Sequence, residues 1–381
     1  MYQPLIKFHP HPAIFTQVLT IFAYTYRPMT SQLSDTTFTQ LLSAWQRQEV
    51  MTDKDYLALL SALSVEQTEL LASTAQRVAE EHFHKGVYLR GLLEITNYCK
   101  NNCFYCGIRA ANQSLTRYRL TKEQILEACR QAAQIGFNTF VLQGGEDLTL
   151  TDEWLTSLIQ AIKEEFPKHA LTLSLGERSY ESYKRLREAG ADRYLLRHET
   201  HNPQHYASLH PTAMKLENRL NCLRQLKELG FQTGSGMMIG TPGQTIQHLA
   251  EDLRFLDELQ PQMIGIGPFV PAPDTPFQHS PQGSTALTLL LLSLLRLRFP
   301  KVLLPATTAL NTRATELRAK AILAGANVIM PNISPDIAQK HYQIYENKQH
   351  KGETTLQLQK IEESLSQIGY HMDWSRGDYQ L

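Results

Sequence analysis

The stretch LLEITNYCKNNCFYCGIR, residues 92–109, decides how this chain folds and where its chemistry lies. It begins with a short apolar run, LLEIT, that has the length of a buried strand. It continues into three cysteines, Cys99, Cys103 and Cys106. In folds that alternate parallel strands with helices, functional side chains follow the carboxyl ends of the strands. The stretch therefore predicts a strand whose following loop carries cysteines at the functional edge of a sheet.

Seven further apolar runs follow, separated by amphipathic helical patterns such as residues 121–136 and 245–259. Eight strands that alternate with helices predict parallel pairing, and a closed (β/α)8 TIM barrel, an α/β fold, fits the count. An open doubly wound sheet is the alternative, because periodicity does not reveal closure. The predicted strands are 92–96, 139–143, 171–175, 193–197, 232–240, 263–270, 302–308 and 326–331.

The segments outside the barrel read as helical flanks. We assign the barrel to residues 91–345, a helical segment to 34–90 and a helical tail to 346–381, because both flanks carry apolar residues at helical spacing. Residues 1–33 are an extension. From Met29 onward the sequence has the amphipathic pattern of an ordinary protein start, so we interpret the residues before it as a disordered segment or as the result of a mis-assigned start codon.

Composition excludes several classes of function. The 381 residues carry 37 basic and 37 acidic side chains, so nothing indicates binding to nucleic acid or to an anionic membrane. The longest apolar run, residues 287–295, is far shorter than the roughly 20 residues of a membrane span and predicts a buried helix. No signal-peptide pattern is present, and five cysteines are too few for a disulfide framework. We expect a cytoplasmic protein.

The C-x3-C-x2-C triplet indicates a metal site, because disulfides are disfavoured in the cytoplasm. Structural zinc prefers four protein ligands, and catalytic zinc prefers three plus water. A 4Fe-4S cluster normally takes four cysteines. Three cysteines would leave one iron open to a small-molecule ligand, and this interpretation is favoured over a zinc site or a chance grouping.

The triplet after the first strand of a (β/α)8 pattern resembles the radical S-adenosylmethionine superfamily. The resemblance implies that the open iron binds S-adenosylmethionine and that reduction of the cluster then releases a 5′-deoxyadenosyl group. It also implies that Tyr105 lies beside the adenine. Gly144, Gly145 and Glu146 are similar to the superfamily's GGE motif, which meets the methionine amino group.

Longer segments narrow the resemblance to the HydE family of FeFe-hydrogenase maturases, in the biotin synthase-like branch. FVLQGGED, ADRYLLRHET, ENRLNCL, GIGPFVPAPDTP and LPATTA carry it, in the right order between residues 92 and 345. The resemblance implies maturation of the hydrogenase H-cluster. The substrate would be an Fe(CO)2(CN)-cysteine synthon from the partner maturase HydG, and the product would go toward the diiron subcluster assembled on HydF. It also implies a low-potential electron donor.

Rival functions remain open on the sequence alone. No cysteine follows Cys222, so we predict one cluster and no accessory second cluster, and sulfur insertion of the biotin synthase kind is disfavoured. A methylornithine synthase-like mutase shares the barrel and is the nearest alternative. From another class, a non-catalytic iron–sulfur carrier or a zinc-binding module would also use the cysteines.

Cofactor and substrate contacts are predicted on the same rim. Arg219 would hold the cofactor carboxylate in a bidentate fork, and Glu199 would meet its ribose or amino group. The alternatives are an exposed helix pair of Arg219 with Glu217 and a turn-capping role for Glu199. Arg197, Thr307 and Thr308 would form an anion pocket for a substrate carboxylate; the alternative is that the two threonines only end a strand. The resemblance implies that Met330 and Tyr345 border the cavity, and the alternative for Tyr345 is a core position, because it has helical spacing with Tyr342.

The remaining histidines and cysteines are assigned structural roles. His198, His201, His205 and His210 lie close together without a metalloprotease signature, and we interpret them as solvated helix histidines. Cys129 and Cys222 lie in amphipathic helical patterns and are predicted to be buried thiols.

Overall fold

The structure is a computed structural model that describes residues 32–307, 315–345 and 354–380. The predicted start at Met29, almost all of the predicted extension, and Thr308 lie outside these residues. The described helices are α1 (Asp35–Gln46), α2 (Asp53–Ser61), α3 (Val65–Phe83), α4 (Lys122–Ile135), α5 (Asp152–Glu165), α6 (Tyr180–Glu188), α7 (Pro203–Leu209), α8 (Leu216–Glu228), α9 (Ile246–Leu259), α10 (Thr285–Arg298), α11 (Thr315–Leu323), α12 (Asp336–His341) and α13 (Thr354–Ser366).

The strands alternate with these helices along the chain. Their bounds are β1 (Gly86–Leu89), β2 (Gly91–Thr96), β3 (Thr139–Gly144), β4 (Ala170–Ser174), β5 (Arg193–Leu195), β6 (Gln232–Ser235), β7 (Met238–Ile239), β8 (Met263–Ile264), β9 (Gly267–Pro268), β10 (Val328–Ile329) and β11 (His371–Asp373).

The parallel sheet closes into a barrel. Strands β2, β3, β4, β5, β6 and β8 pair in that order, all in parallel. Parallel bridges then continue the ring from Met263 to Leu303, from Pro305 to Val328, and from Asn332 back to Leu92. Eight segments therefore surround one core, the predicted (β/α)8 barrel is confirmed, and the open-sheet alternative is wrong.

Several barrel strands are shorter than the apolar runs predicted. The run 302–308 forms no regular strand in its described part and pairs only through single bridges at Leu303 and Pro305. Proline lacks the N–H that a ladder requires, which explains the interruption. The run 232–240 is split at Gly236, whose φ of 147° lies in the region that favours glycine.

The helices begin where the sequence supplies caps. Ser34, Thr52, Ser64, Thr121 and Thr151 each accept a hydrogen bond from a backbone N–H of the first turn that follows. Helix α10, which contains the run 287–295, is buried along its length, as predicted. Among the described residues, no helix combines the length and apolar character that crossing a membrane would require.

Two short strands outside the barrel were not predicted. Strand β1 lies before β2, and it pairs in parallel with β10 on one side and with β11 near the carboxyl terminus on the other. The predicted tail is therefore a helix, α13, followed by a strand and an irregular segment. The irregular segment after β11 covers the amino-terminal end of the barrel, which is the end opposite the loops that follow the strands.

Candidate functional site

A cavity of about 330 Å³ lies where the barrel strands end. Its wall is built by the loops that follow the strands, as the position of the cysteine loop predicts. The predicted site residues that line it are Cys99, Cys103, Tyr105, Cys106, Gly144, Gly145, Glu146, Arg197, Glu199, Arg219, Thr307, Met330 and Tyr345. Thus the structure brings together every predicted site residue that it describes, and Thr308 lies outside the described residues.

The cysteine loop runs between β2 and α4 and is tied to other loops through its backbone. Lys100 N donates to Glu146 O at 2.9 Å, Phe104 N to Leu209 O at 2.9 Å, and Gly107 N to Ile344 O at 3.0 Å. These bonds reach the loop after β3, the end of α7 and the segment after α12. The three thiols therefore take their positions from tertiary contacts.

The three thiols occupy an environment that disfavours their thiolate forms in the absence of a cation. Burial raises the pKa of the Cys99 thiol and of the Cys103 thiol, and the neighbouring sulfurs add repulsion at Cys103. Burial and the proximity of Cys99 raise the pKa of the Cys106 thiol to about 12. A metal centre supplies the positive charge that would let all three ionise together.

Three thiolates are compatible with two kinds of metal centre. A single zinc ion takes four protein ligands in a structural site, or three ligands and a water in a catalytic site. A cubane cluster with one open iron takes one thiolate at each of its other three irons, and the three thiols that line one cavity supply this donor set. The residues present therefore fit such a cluster.

Glycine is required where the GGE loop approaches the cysteine loop. A Cβ on Gly145 would lie 2.7 Å from the Cβ of Cys99 and closer still to the carbonyl oxygen of Tyr98. The following residue, Glu146, accepts from Glu177 N at 3.0 Å and pairs with Lys100 Nζ at 3.2 Å. The two loops therefore pack with backbone in contact, and Glu146 is fixed at their junction.

Arg219 forms an ion pair beside the GGE loop, with the glutamate that donates its N–H to Glu146. Arg219 Nε donates to Glu177 Oε1 at 2.6 Å, and one NH group donates to Arg197 O at 3.3 Å. Although burial lowers the pKa of Arg219, Glu177 and neighbouring groups outweigh it and hold that pKa well above its ordinary value. The alternative pairing of Arg219 with Glu217 is wrong, because Glu217 pairs with Arg224.

Glu199 is held in an unusual backbone conformation. Its φ is +66°, its N donates to Gly236 O at 3.1 Å, and its Oε1 accepts from Arg197 Nε at 3.0 Å. The buried Oε2 has no hydrogen-bond partner among the described residues. A non-glycine residue with positive φ and an unpaired buried oxygen is a common feature of binding sites.

The described residues of the predicted anion pocket lie in the wall of the same cavity. Arg197 and Thr307 both line the cavity, and the buried Thr307 Oγ1 has no partner within the described part of the chain. Met330 and Tyr345 also line it. The helical interpretation of residues 342–345 is wrong, because α12 ends at His341 and Tyr342 follows as its cap.

The histidine prediction is corrected by the structure. His198, His205 and His210 are buried instead of solvated, because the first two pack against Phe255 and His248 of helix α9 and His210 packs between Tyr105 and Tyr206. His210 Nδ1 lies 2.9 Å from the carbonyl oxygen of Tyr206, so Nδ1 carries the proton and Nε2 accepts from Tyr105 OH at 3.1 Å. Burial lowers the pKa of His210 to about 4, which keeps the ring neutral. His210 thus fixes the orientation of Tyr105.

Sequence reasoning missed several residues of the site. Glu177, the partner of Arg219, was not predicted, although its position directly after Gly176 matches that of Glu146 after Gly145. Glu94 and Gln143 line the cavity from β2 and β3, and the Gln143 side chain donates to Tyr342 OH at 3.2 Å. A polar residue inside an otherwise apolar strand pattern was the available signal. Cys129 and Cys222 are buried, as predicted.

Comparisons with known proteins agree with this geometry. The family described as the Radical SAM superfamily matches residues 93–256. The chain is 43% identical over 312 residues to the FeFe hydrogenase maturase subunit HydE of Thermotoga maritima, an alignment that covers 81% of this chain and 88% of that protein. It is 31% identical over 288 residues to 3-methylornithine synthase of Methanosarcina barkeri, which covers 75% of this chain and 81% of that protein.

Solved structures show the same architecture. The crystal structure of methylornithine synthase, PylB, superposes with a TM-score of 0.78 at 28% identity and covers 87% of this chain and 97% of that chain. The X-ray structure of the maturase HydG from Carboxydothermus hydrogenoformans gives a TM-score of 0.76 at 22% identity, over 96% of this chain and 85% of that chain, which shows a shared fold. The chain therefore belongs to the HydE family of the radical S-adenosylmethionine superfamily and is a radical S-adenosylmethionine enzyme.

Proposed function

We propose that Cys99, Cys103 and Cys106 hold one 4Fe-4S cluster and that the cavity beside it binds S-adenosylmethionine and a substrate of hydrogenase maturation. The superfamily implies a 4Fe-4S cluster and S-adenosylmethionine as cofactors. The observation that carries the proposal is the convergence of the three thiols with Glu146, Glu199 and Arg219 on one cavity. When bound and reduced, the cluster and S-adenosylmethionine supply a 5′-deoxyadenosyl group for radical chemistry.

The cavity wall suits a zwitterion that carries an extra positive charge. Its acidic residues are Glu94, Glu146 and Glu199, and its basic residues are Arg197 and Arg219. The Arg219 guanidinium would meet the cofactor carboxylate, since a planar fork matches a carboxylate in geometry as well as charge. The carboxylates of Glu146 and Glu199 would meet the amino group and the ribose. Gly144 and Gly145 keep the loop backbone close enough for this contact.

Tyr105 and its neutral partner His210 would set the position of the adenine. The Tyr105 ring packs edge to face on the His210 ring, with 5.4 Å between their centroids. Because Tyr105 lies between two of the cluster cysteines, an adenine held against this ring would keep the sulfonium end of the cofactor near the cluster. The role of His210 is to hold the ring without introducing a charge.

The predicted anion pocket would bind the substrate. Arg197 and Thr307, with Thr308, would bind a carboxylate such as that of a cysteine-derived ligand, and Met330 and Tyr345 would border it. We infer that this substrate is the Fe(CO)2(CN)-cysteine synthon, that HydG supplies it, and that the product passes toward HydF. The support is the similarity to a maturase named HydE over most of both chains.

Anaerobic reconstitution with iron and sulfide, followed by dithionite and S-adenosylmethionine, tests the cofactor assignment. We expect 5′-deoxyadenosine from the wild type and none above background from Cys103→Ala, because an incomplete ligand set does not retain the cluster. Cys129→Ala is the matched control, since Cys129 is buried in α4 and lies outside the cavity lining. A well-loaded wild type that forms no 5′-deoxyadenosine contradicts the proposal, and zinc without iron supports the structural-module alternative.

A methylornithine synthase-like mutase is the second candidate, because the 3-methylornithine synthase of M. barkeri is also above 30% identity. The two candidates differ in substrate. A mutase would consume lysine and form its branched isomer, whereas the maturase would leave lysine unchanged and act on the HydG product. Mass spectrometry of both incubations, with the same reconstituted enzyme, distinguishes them.

A further inference from the structure

Arg117 makes an unusual set of hydrogen bonds beside the cysteine loop. One NH group donates to Asn97 O at 2.5 Å and to Ile108 O at 2.9 Å. The other donates to Arg109 O at 2.6 Å and to Asn112 O at 2.9 Å. One planar guanidinium therefore binds four backbone carbonyl oxygens of a single loop.

The four carbonyls lie on both sides of the cysteine triplet. Asn97 precedes Cys99 by two positions, and Ile108 follows Cys106 by two positions. The contacts of Arg117 therefore join the strand exit to the loop exit and close the cysteine segment into a ring. Such closure limits the separations that the first and last thiols can adopt.

Other bonds fix Arg117 on a rigid support. Its segment runs back antiparallel to β2, with a bridge between Thr96 and Arg119 and a bond from Leu120 N to Ile95 O at 2.9 Å. The Asn97 side chain donates to Thr116 O at 2.9 Å and to His341 O at 2.8 Å. These contacts fix the segment of Arg117 against the barrel, and the guanidinium in turn binds the cysteine loop.

We propose that Arg117 is a positioning residue for the iron–sulfur cluster, acting through the loop backbone to hold Cys99 and Cys106 at the separation that the cluster requires. This inference rests on the proposed cluster site and adds a residue outside the cysteine motif. Lysine does not replace the arginine, because an ammonium is a compact point charge with three donors and lacks the planar fork.

The test compares Arg117→Lys and Arg117→Gln with the control Arg130→Lys. Arg130 lies on α4 and pairs with Glu165 and Glu127 at the exposed surface. Each variant is reconstituted anaerobically, and the rate of iron loss to a chelator is followed by the decay of cluster absorbance. Thermal unfolding of the iron-free chains is measured in parallel.

We expect about tenfold faster iron loss from both Arg117 variants, the effect typical of residues that orient metal ligands, and no change in Arg130→Lys. The iron-free Arg117→Lys chain should remain folded at the assay temperature and unfold in one cooperative transition, although the loss of hydrogen bonds to the loop lowers its stability. Wild-type rates of iron loss in both Arg117 variants overturn the inference, as does loss of the cooperative transition in the iron-free Arg117→Lys chain, which indicates a general folding role. Failure of the wild type itself to bind a 4Fe-4S cluster would instead contradict the proposed function.

Discussion

Two regions of the barrel, the surroundings of Arg193 at one end and those of Glu199 and Thr307 at the other, differ in how far the chain satisfies its own buried polar atoms. At the amino-terminal end, the side chain of Arg193 is fully buried, and its guanidinium is surrounded by acceptors from two strands and from the carboxyl-terminal segment. These acceptors are Thr139 Oγ1, Gln232 Oε1, Arg376 O, Gly377 O and Asp378 Oδ1. Within the described residues, Arg90 is less completely satisfied, because its Nε has no partner there.

At the carboxyl-terminal end, acceptors and hydroxyls face the cavity without partners. Glu199 Oε2 and Thr307 Oγ1 are both buried and unpaired among the described residues, and Glu199 keeps a positive φ. Desolvated polar atoms of this kind cost free energy of about 1–3 kcal/mol each. The comparison indicates that the contacts of Arg193 stabilise the fold, whereas Glu199 Oε2 and Thr307 Oγ1 are groups that ligands would satisfy.

Removing the buried cation should give the largest effect on stability. Arg193→Met leaves several buried acceptors unpaired, and we expect a loss of about 3 kcal/mol in the free energy of unfolding, measured by urea titration. This loss lies at the lower end of the range for breaking a buried ion pair, because Asp378 is partly exposed. Arg185→Met, at an exposed pair with Glu153, should change it by less than about 0.5 kcal/mol. Equal effects of the two variants would contradict the comparison.

Gly145→Ala should mainly reduce activity, because it changes the carboxyl-terminal end of the barrel, where the cavity lies. The added Cβ forces the GGE loop away from Tyr98 and Cys99, and a displacement of about 1 Å at a reacting site can reduce the rate a hundredfold. We expect a reduction of that order in 5′-deoxyadenosine formation. The unfolding free energy should fall by only about 1–3 kcal/mol, the usual cost of overpacking. Full activity in this variant would show that the close loop contact is not required.

A matched pair of threonine substitutions should give the smallest changes in the free energy of unfolding, and the difference between the two variants tests the comparison directly. Thr139 Oγ1 donates to Arg376 O at 2.8 Å, whereas Thr307 Oγ1 has no such partner in the described chain. We expect Thr139→Val to lower the unfolding free energy by about 1–3 kcal/mol, and Thr307→Val to leave it unchanged or raise it slightly. The reverse order in urea titrations would mean that the polar groups near the site are structural.

The sequence predicted the positions of the barrel strands along the chain, and the residues that line the cavity, more accurately than it predicted the lengths of the strands. Runs such as 92–96 and 139–143 are buried on both faces, so their apolar character is continuous and easy to recognise. The later strands are short and interrupted by Gly236 and Pro305, and β1 and β11 were missed because strands of three or four residues leave little periodic signal. The burial of His198 and His210 depends on tertiary packing that a local pattern does not contain.

The sequence alone determined that the chain alternates eight strands with helices and carries a cysteine triplet after the first of them, because periodicity and residue spacing are local properties. Only the tertiary structure decided that the ring closes and that Glu177 pairs with Arg219, 42 positions later. It also decided that Arg117 ties the two ends of the cysteine loop and that the carboxyl-terminal segment supplies the partners of Arg193. These contacts join residues that are distant along the chain, and their partners are chosen by packing and by the cost of leaving a buried charge unpaired.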